Sequence, residues 1–310
     1  MRVNAGEIPA SLLDSPARAR DASAMPLAPS LSGTTPASRS PEPLSALLKR
    51  GRPLIMGILN VTPDSFSDGG RFFDPATAIG HAREMAADGA DILDIGAEST
   101  RPYGGAQPVG AEDEKARLAP VLPEIVKLGL PVSIDTIKAS IAAWALDQGA
   151  AIVNDVWGLQ RDGEMAPLVA RRGVPVIVMH NRDEADPAID IVADVNAFFE
   201  RSLAIADRAG IRRENIVLDP GIGFGKTPEQ SIVCLARLAE FKRFGLPLLV
   251  GASRKRFINS VTPSPPTERL GGSIASHLIS VEKGAAIVRV HDVKQTVQAL
   301  RVAAAIEAAQ

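Results

Sequence analysis

Short apolar runs alternate with stretches of helix-forming residues from Leu44 onward, and this alternation limits the possible folds more than any other feature. Each run is almost wholly apolar until it ends in polar residues, which is typical of strands buried on both faces of a parallel sheet. The eight runs lie at 54–60 (LIMGILN), 92–98 (ILDIGAE), 132–136 (VSIDT), 152–156 (IVNDV), 174–180 (VPVIVMH), 216–221 (IVLDPG), 248–253 (LLVGAS) and 287–292 (IVRVHD).

The segments between these runs predict helices, and several of them are followed by the glycine that commonly ends a helix. The helices are expected at 76–88, 111–127, 137–148, 193–209, 230–244 and 267–283. Eight buried strands joined by helical crossovers indicate an α/β protein with a (β/α)8 TIM barrel, although the alternation alone also fits a doubly wound open sheet. The count of eight and the polar residues at nearly every strand end favour the barrel.

Composition separates a tail from the barrel and excludes several classes of partner. Residues 1–43 are rich in Pro, Ser and Ala without apolar periodicity, so we expect a disordered tail before a single domain at 44–310. The 34 Lys and Arg against 36 Asp and Glu predict no nucleic-acid surface. No apolar run approaches the ~20 residues of a membrane-spanning helix. A single cysteine, Cys234, fits a reducing, cytoplasmic compartment.

The polar strand ends predict where a functional site lies, because a TIM barrel carries its active site at the C-terminal ends of its strands. We expect the barrel to gather these residues around one axis. In chain order they are Asn60 with Asp64, then Asp94, Glu98, Thr100 and Arg101, then Asp135, Asn154, Asp155, His180 and Asp219, and finally Ser253, Arg254, Lys255, Arg289 and His291.

Two kinds of group are present in this set. Asp135, Asn154 and Asp219 end interior runs, where an unpaired charge is costly, and together they suit a flat heterocycle that offers a row of N–H donors. The alternative for any one Asp is a structural ion pair, but three such ends favour ligand recognition. Arg289 and His291 alternate along one strand and so project to the same side, where barrels commonly bind phosphate.

Several single features leave alternatives open. Arg254 and Lys255 add positive charge beside the phosphate end, but Arg254 is equally compatible with a solvated loop. The run DPGIGFGKT has three residues between Gly221 and Gly225, whereas a phosphate-binding P-loop needs four, and so it is interpreted as a tight turn close to a ligand. The amide oxygen of Asn60 is a suitable Mg²⁺ ligand if substrate phosphates complete the shell, or an ordinary hydrogen-bonded strand end.

Taken together, the segments GILNVTPDSFSDGG, DILDIGAESTRP, VSIDT, IVNDV, VIVMH, LDPGIGFGKT, GASRK and RVHDV resemble the successive motifs of the dihydropteroate synthase family. The resemblance runs in order from about Pro53 to the end of the sequence. It implies joining of 4-aminobenzoate to 6-hydroxymethyl-7,8-dihydropterin diphosphate, with release of diphosphate on the folate pathway. It also implies a cytoplasmic homodimer that uses Mg²⁺ and small-molecule substrates, with no nucleic acid or membrane as partner.

By matched position, the resemblance implies a role for each site residue. Asp135, Asn154, Asp219 and Lys255 would hold the pterin, supported by Asp94, with Asp135 and Lys255 the catalytic pair. Thr100, Arg289 and His291 would bind diphosphate, Asn60 would lie at the Mg²⁺, and Arg101 and Ser253 would border the aminobenzoate pocket.

Three residues, Tyr103, Trp157 and Asn181, depart from the family pattern, and these departures concern the loops and not the reaction. Two other functions are kept as alternatives. A catalytically silent pterin-binding paralogue is one alternative, and a folate-dependent methyltransferase of the same fold is the other.

No residue has the features of an activated nucleophile, because Ser253 has no His in its motif and Cys234 lies in a helical stretch. We therefore expect a dissociative reaction in which Asp135 stabilises a pterin cation.

Overall fold

The computed structural model describes residues 43–62, 74–98 and 109–309 of the chain. Eight parallel strands form a closed barrel in chain order, and the last strand pairs with the first. They are β1 Leu54–Asn60, β2 Ile92–Gly96, β3 Val132–Asp135, β4 Ile152–Asp155, β5 Val176–Met179, β6 Ile216–Asp219, β7 Leu248–Val250 and β8 Ala285–Val290. The predicted TIM barrel is confirmed, and the open-sheet alternative is excluded by the β1–β8 pairing.

Helices connect the strands and cover the outside of the barrel. They are α1 Leu44–Leu47, α2 Pro75–Ala87, α3 Ala111–Leu118, α4 Leu122–Val126, α5 Ala139–Asp147, α6 Met165–Arg172, α7 Ile191–Ala209, α8 Pro228–Ala236, α9 Arg256–Val261, α10 Leu270–Glu282 and α11 Val293–Glu307. Two of them begin at well-formed side-chain caps: the Asp190 side chain accepts two backbone amides at the start of α7, and Thr227 forms a reciprocal capping box with Gln230 at the start of α8.

The helix predictions differ from the structure in three respects. The predicted helix at 111–127 is two helices, α3 and α4, because Pro120 lacks an amide hydrogen and its ring obstructs a continuous helix. The predicted helix at 230–244 ends as α8 at Ala236 and continues as a 3-10 helix at Leu238–Phe244. Helices α1, α6, α9 and α11 were not among the predicted ones.

The barrel interior is divided along its axis. At the N-terminal end of the strands it is filled by an apolar cluster to which α1 contributes Leu44 and Leu47, so the chain packs into the barrel floor from its first described helix. The other members of that cluster are Leu54, Met56, Ile92, Ile152, Ile177, Val217, Leu249 and Ile287. A larger apolar core fills the space between strands and helices. Above this floor, toward the C-terminal strand ends, Asp94, Asp135, Asn154 and Arg289 face the interior.

None of the helices in the three described ranges has the length and apolar character needed to cross a membrane.

Candidate active site

An arginine from the last strand joins two carboxylates at the centre of the barrel mouth. Arg289 donates from Nε to Oδ2 of Asp94 at 2.5 Å and from Nη2 to Oδ2 of Asp135 at 2.8 Å. Asn154 donates from Nδ2 to Oδ2 of Asp94 at 3.2 Å. Alternate residues of a strand point to the same side, which is why β2, β3, β4 and β8 each send a polar residue inward at this level. The structure thus brings these four residues together, as the sequence predicted.

A cleft opens beside this network and is lined by both polar and apolar side chains. Lys255 lies at its edge, with Nζ 3.9 Å from the centre of the Phe224 ring. The lining residues are Asp135, Asn154, Val156, Met179, Asp219, Ile222, Phe224, Gly251, Lys255 and Arg289. An apolar wall facing a few polar groups is the usual make-up of a small-molecule site, and an aromatic ring beside carboxylates suits a flat heterocycle.

Burial shifts the pKa values of three of these groups in the direction that favours their uncharged forms. It raises the pKa of Asp135 to about 7, although Arg289 opposes the shift. It raises the pKa of Asp219 to about 6 against the hydrogen bond from the Gly221 amide, at 2.7 Å. It lowers the pKa of Lys255 to about 7, and the charge of Arg289 acts in the same direction. Strongly shifted groups that share one cleft are typical of functional sites.

One oxygen of this network is left for a ligand. Oδ1 of Asp135 is buried and has no hydrogen-bond partner within the described part of the chain, whereas Oδ2 accepts from Arg289. A buried acceptor without a donor is unfavourable by about 1–3 kcal/mol. The Asp135 side chain lines the cleft, and its Oδ1 can accept an N–H from a bound heterocycle.

Ser253 and His291 form a pair that the sequence analysis did not foresee. The Ser253 Oγ lies 3.0 Å from the His291 Nδ1 and 3.2 Å from the His291 amide nitrogen, which donates to it. The hydroxyl has one hydrogen, which it can give to the imidazole. The motif around Ser253 contains no histidine, but the adjacent strands β7 and β8 bring this serine next to a histidine that is distant in sequence.

The prediction that all polar strand ends share one site is wrong for three residues. Asp155 and His180 directly follow inward-facing residues, so they point outward from the barrel. The Asp155 carboxylate accepts the amides of Trp157 at 2.9 Å and Leu159 at 2.7 Å. Arg254 has a left-handed backbone with φ of 56°, and its Nε donates to Asp292 at 3.0 Å. Its guanidinium is thus engaged in an ion pair.

Other predicted residues lie at the edge of the described structure or outside it. Asn60 is the half-buried last residue of β1 and lies opposite Gly96 of β2. Glu98 accepts from Lys138 at 2.5 Å and from the Val109 amide at 3.2 Å. Asp64, Thr100, Arg101 and Tyr103 are outside the described residues, as is the predicted tail except for Pro43.

The glycine-rich turn after β6 has the form expected of a tight turn. Gly221 has φ of 64°, and a Cβ atom there would overlap the carbonyl oxygen of His180. The lysine that follows the turn, Lys226, is only 2% exposed and donates to the carbonyl oxygens of Gly221 and Phe224. Its ammonium is used inside the protein, which agrees with rejection of the P-loop interpretation.

The apolar wall of the cleft was missed by the sequence analysis. Phe224 and Ile222 come from the glycine-rich turn, and Met179 and Val156 come from β5 and the end of β4. Trp157, one of the atypical residues, packs against this wall, and the guanidinium of Arg161 lies 4.1 Å from the centre of its ring. A signal for Phe224 existed in the run IGFG, where an aromatic residue stands between glycines of a ligand-facing turn.

Comparisons with known proteins agree with this site. The model of the family described as pterin binding enzyme matches residues 56–291. A dihydropteroate synthase of Bacillus subtilis is 48% identical over 252 residues, which is 81% of this chain and 87% of that protein. The chain belongs to the dihydropteroate synthases.

Two solved structures of this family come from Xanthomonas albilineans. A dihydropteroate synthase with 4-aminobenzoic acid has a TM-score of 0.79 and 43% identity, and the match covers 83% of this chain and 94% of that one. Another, in complex with 7,8-dihydropteroate, has a TM-score of 0.75 and 40% identity and covers 83% and 95%. The dihydropteroate synthase resemblance seen in the sequence is confirmed.

Proposed function

We propose that the barrel cleft carries out the dihydropteroate synthase reaction, in which 6-hydroxymethyl-7,8-dihydropterin diphosphate and 4-aminobenzoate give 7,8-dihydropteroate and diphosphate. The observation that carries this proposal is the buried Oδ1 of Asp135, which has no hydrogen-bond partner among the described residues and belongs to a side chain that lines the same cleft as the Phe224 ring. A pterin offers ring N–H and amino donors along one edge and a flat face for Phe224.

The polar side of the cleft supports pterin binding. Asp135 and Asp219 can accept from ring N–H and amino groups, and the Asn154 side chain can both donate and accept. Lys255 donates to the pterin carbonyl, and Asp94 holds Asn154 and Arg289 in place from beneath. Because Asp94 is fully buried and already receives bonds from both neighbours, its role is support and not ligand contact.

The diphosphate end is assigned to cations above the pterin. Arg289 and His291 follow each other on the inward side of β8, and Ser253 fixes the His291 ring from its Nδ1 side. Thr100 and Arg101 complete the assignment on the diphosphate and aminobenzoate sides respectively. A guanidinium matches phosphate oxygens with two parallel donors, so Arg289 joins the pterin site to the leaving group.

Asn60 fits a Mg²⁺ that arrives with the substrate. Its amide oxygen is a hard ligand at the barrel mouth, and Mg²⁺ usually keeps few protein ligands beside substrate phosphates and water. The described residues contain no group of three acidic, His or Cys side chains arranged around a metal, so we assign most of the shell to diphosphate and water. The ion, when bound, neutralises charge on the departing diphosphate.

The chemical step needs no protein nucleophile. The bond between the exocyclic methylene carbon and the diphosphate oxygen breaks, and its electron pair leaves with diphosphate. The aminobenzoate nitrogen then forms the new C–N bond and releases one proton. Asp135 stabilises the positive charge on the pterin between these events. Crystals soaked with pterin diphosphate and Mg²⁺ but without aminobenzoate should contain cleaved diphosphate beside an unattached pterin. A covalent adduct on the protein would contradict this order.

We extend two further family properties to this chain. A homodimer would cover exposed apolar side chains on helices α10 and α11, namely Ile279, Val302 and Ile306. Light scattering on the protein as it elutes from a size-exclusion column should give twice the mass of one chain. A monomer at micromolar concentration would contradict the assignment. The cytoplasmic location rests on the single cysteine and is tested by cell fractionation.

One experiment separates the proposed reaction from its two alternatives. Calorimetric titration with pterin diphosphate should show binding, and turnover with 4-aminobenzoate should then give 7,8-dihydropteroate. A silent paralogue would bind pterin without turnover. A folate-dependent methyltransferase would bind a folate and show no dependence on the diphosphate.

A further inference from the structure

Behind the pterin cleft lies a buried polar chain that the reaction does not use. The ammonium of Lys226 contacts three acceptors: the Gly221 carbonyl oxygen at 2.9 Å, the Phe224 carbonyl oxygen at 3.1 Å and Nδ1 of His180 at 2.6 Å. An ammonium has three hydrogens and no lone pair, so it can donate to each of these acceptors. Lys226 is 2% exposed and His180 is fully buried, so this arrangement is not accessible to substrate.

The contact with Lys226 fixes the state of the histidine. Because Lys226 can only donate, Nδ1 of His180 must be the acceptor, and the ring hydrogen is on Nε2. Nε2 lies 3.0 Å from Oδ2 of Asp194 on α7, which also pairs with Nη1 of Arg182 at 2.9 Å. Burial and the charge of Lys226 lower the pKa of His180 to about 4, which keeps the ring neutral. The chain thus alternates donors and acceptors without conflict.

This chain ends on the turn that forms the apolar wall. Gly221 is held from its other side by Asp219, whose Oδ1 accepts the Gly221 amide at 2.7 Å. The Gly221 carbonyl oxygen also accepts the Phe224 amide at 3.0 Å. Lys226 therefore closes a turn that begins at a pterin-binding carboxylate and ends at the aromatic ring beneath Lys255.

We propose that Lys226 is a positioning residue for pterin binding, which sets the place of the Phe224 ring through the 221–224 turn and is itself oriented by His180. This inference rests on the proposed function, since it concerns affinity for the pterin. Loss of the ammonium leaves two carbonyl oxygens and one imidazole nitrogen without their donor in a buried space, and the turn can relax away from the cleft. Lys226 does not line the cleft, so its loss should lower pterin affinity indirectly, through the position of the Phe224 ring.

The test compares pterin affinity in matched variants by calorimetry, with 6-hydroxymethyl-7,8-dihydropterin as the ligand. Lys226→Met keeps most of the unbranched side chain, one atom shorter, and removes its donors. It should weaken binding tenfold or more. Ile125→Ala, in the apolar core on α4, should lower the melting temperature but change pterin affinity less than twofold. If Lys226→Met does not fold, Lys226→Gln keeps two donors without the charge and should weaken binding at least threefold.

A double variant tests whether Lys226 acts through Phe224, which a merely structural role would not require. Phe224→Ala with Lys226→Met should bind pterin within twofold of Phe224→Ala alone, because the ring that Lys226 positions is then absent. Wild-type affinity in a folded Lys226 variant, or full multiplication of the two single effects, would overturn the inference. Failure of the wild-type protein to bind pterin at all would instead reject the proposed function.

Discussion

The Nη2 atom of Arg289 lies 2.8 Å from Oδ2 of Asp135, so a cation from the last strand partly neutralises a carboxylate from the third. This pairing explains how a carboxylate is kept in a buried position while its second oxygen remains available to a ligand. Burial still raises the pKa of Asp135 to about 7. The same arginine is assigned to the diphosphate, so ligand binding and the charge of Asp135 are coupled through it.

Lys255→Ala should weaken both ligands. The ammonium is assigned to the pterin carbonyl, and its stem is assigned to the aminobenzoate pocket. Loss of a hydrogen bond from a charged donor, worth ~1.5–3 kcal/mol, corresponds to a decrease in pterin affinity of roughly 10- to 100-fold. Calorimetry on the folded variant measures this, with Lys294→Ala on the exposed side of α11 as the matched control. Unchanged pterin affinity would count against the assignment.

Asn60→Ala should lower turnover more than it lowers binding of a pterin without diphosphate. If Asn60 contributes to the Mg²⁺ shell, the loss appears only when diphosphate is present, on the order of 10- to 100-fold as for groups that hold or orient a metal ligand. Turnover is measured over a range of Mg²⁺ concentrations beside a pterin titration. Equal losses in both would mean that Asn60 only shapes the cleft.

Deletion of residues 1–43 should leave turnover and melting temperature nearly unchanged, because their composition cannot build a core. Deletion of 1–47 is the matched comparison, since it also removes Leu44 and Leu47, which are 4% and 2% exposed in the barrel floor. Loss of two buried leucines should lower the melting temperature by roughly 10 °C or more. Equal melting temperatures of the two truncated proteins, or a large drop for the shorter deletion, would contradict this account.

His277→Leu should make the protein less sensitive to acid. His277 on α10 is 1% exposed, and neither ring nitrogen has a hydrogen-bond partner among the residues described. Burial lowers its pKa from 6.5 to about 4. The unfolded chain therefore takes up a proton below pH 6.5 while the folded protein does not, so the stability contribution of the neutral ring is lost as the pH falls from 6.5 to 4.

The measurement for His277 is the free energy of unfolding in urea at pH 7.5 and pH 5. Buried carboxyls titrate in the same range with opposite sign, so the difference between variant and wild type is compared. The variant should gain about 2 kcal/mol relative to wild type between the two pH values. His81→Leu, at a half-exposed position on α2, serves as the control. The absence of any relative gain would show that the ring is not held neutral by burial.

The strand runs and the two-residue period of a strand predicted most of the fold and the polar centre of the site. The side chains of Asp94, Asp135, Asn154 and Arg289 are inward for this reason. The same alternation, followed residue by residue, places His180 on the outer side of the barrel. The sequence therefore contained the information that His180 is not part of the site. The break between α3 and α4 could also be predicted from the sequence, because residue 120 is a proline.

The remaining features depend on distances between elements and could not be predicted from one sequence. The pairing of Ser253 with His291 depends on the stagger of two neighbouring strands. The inward turn of Lys226 depends on carbonyl oxygens that the glycine turn presents only once it is folded. For Ser253 the partner comes from the next strand, and for Lys226 two partners lie in the folded turn itself while the third, His180, follows another strand.

The most direct test of the account is the turnover number of Asp135→Asn in the synthesis of 7,8-dihydropteroate. The amide keeps the size of the side chain and still accepts a bond from Arg289, but it removes the negative charge that stabilises the pterin cation. Turnover should fall by roughly 100-fold, corresponding to ~3 kcal/mol for a preorganised charged group, while the variant stays folded and still binds pterin. Wild-type turnover in this variant would contradict the assignment of the reaction to this cleft.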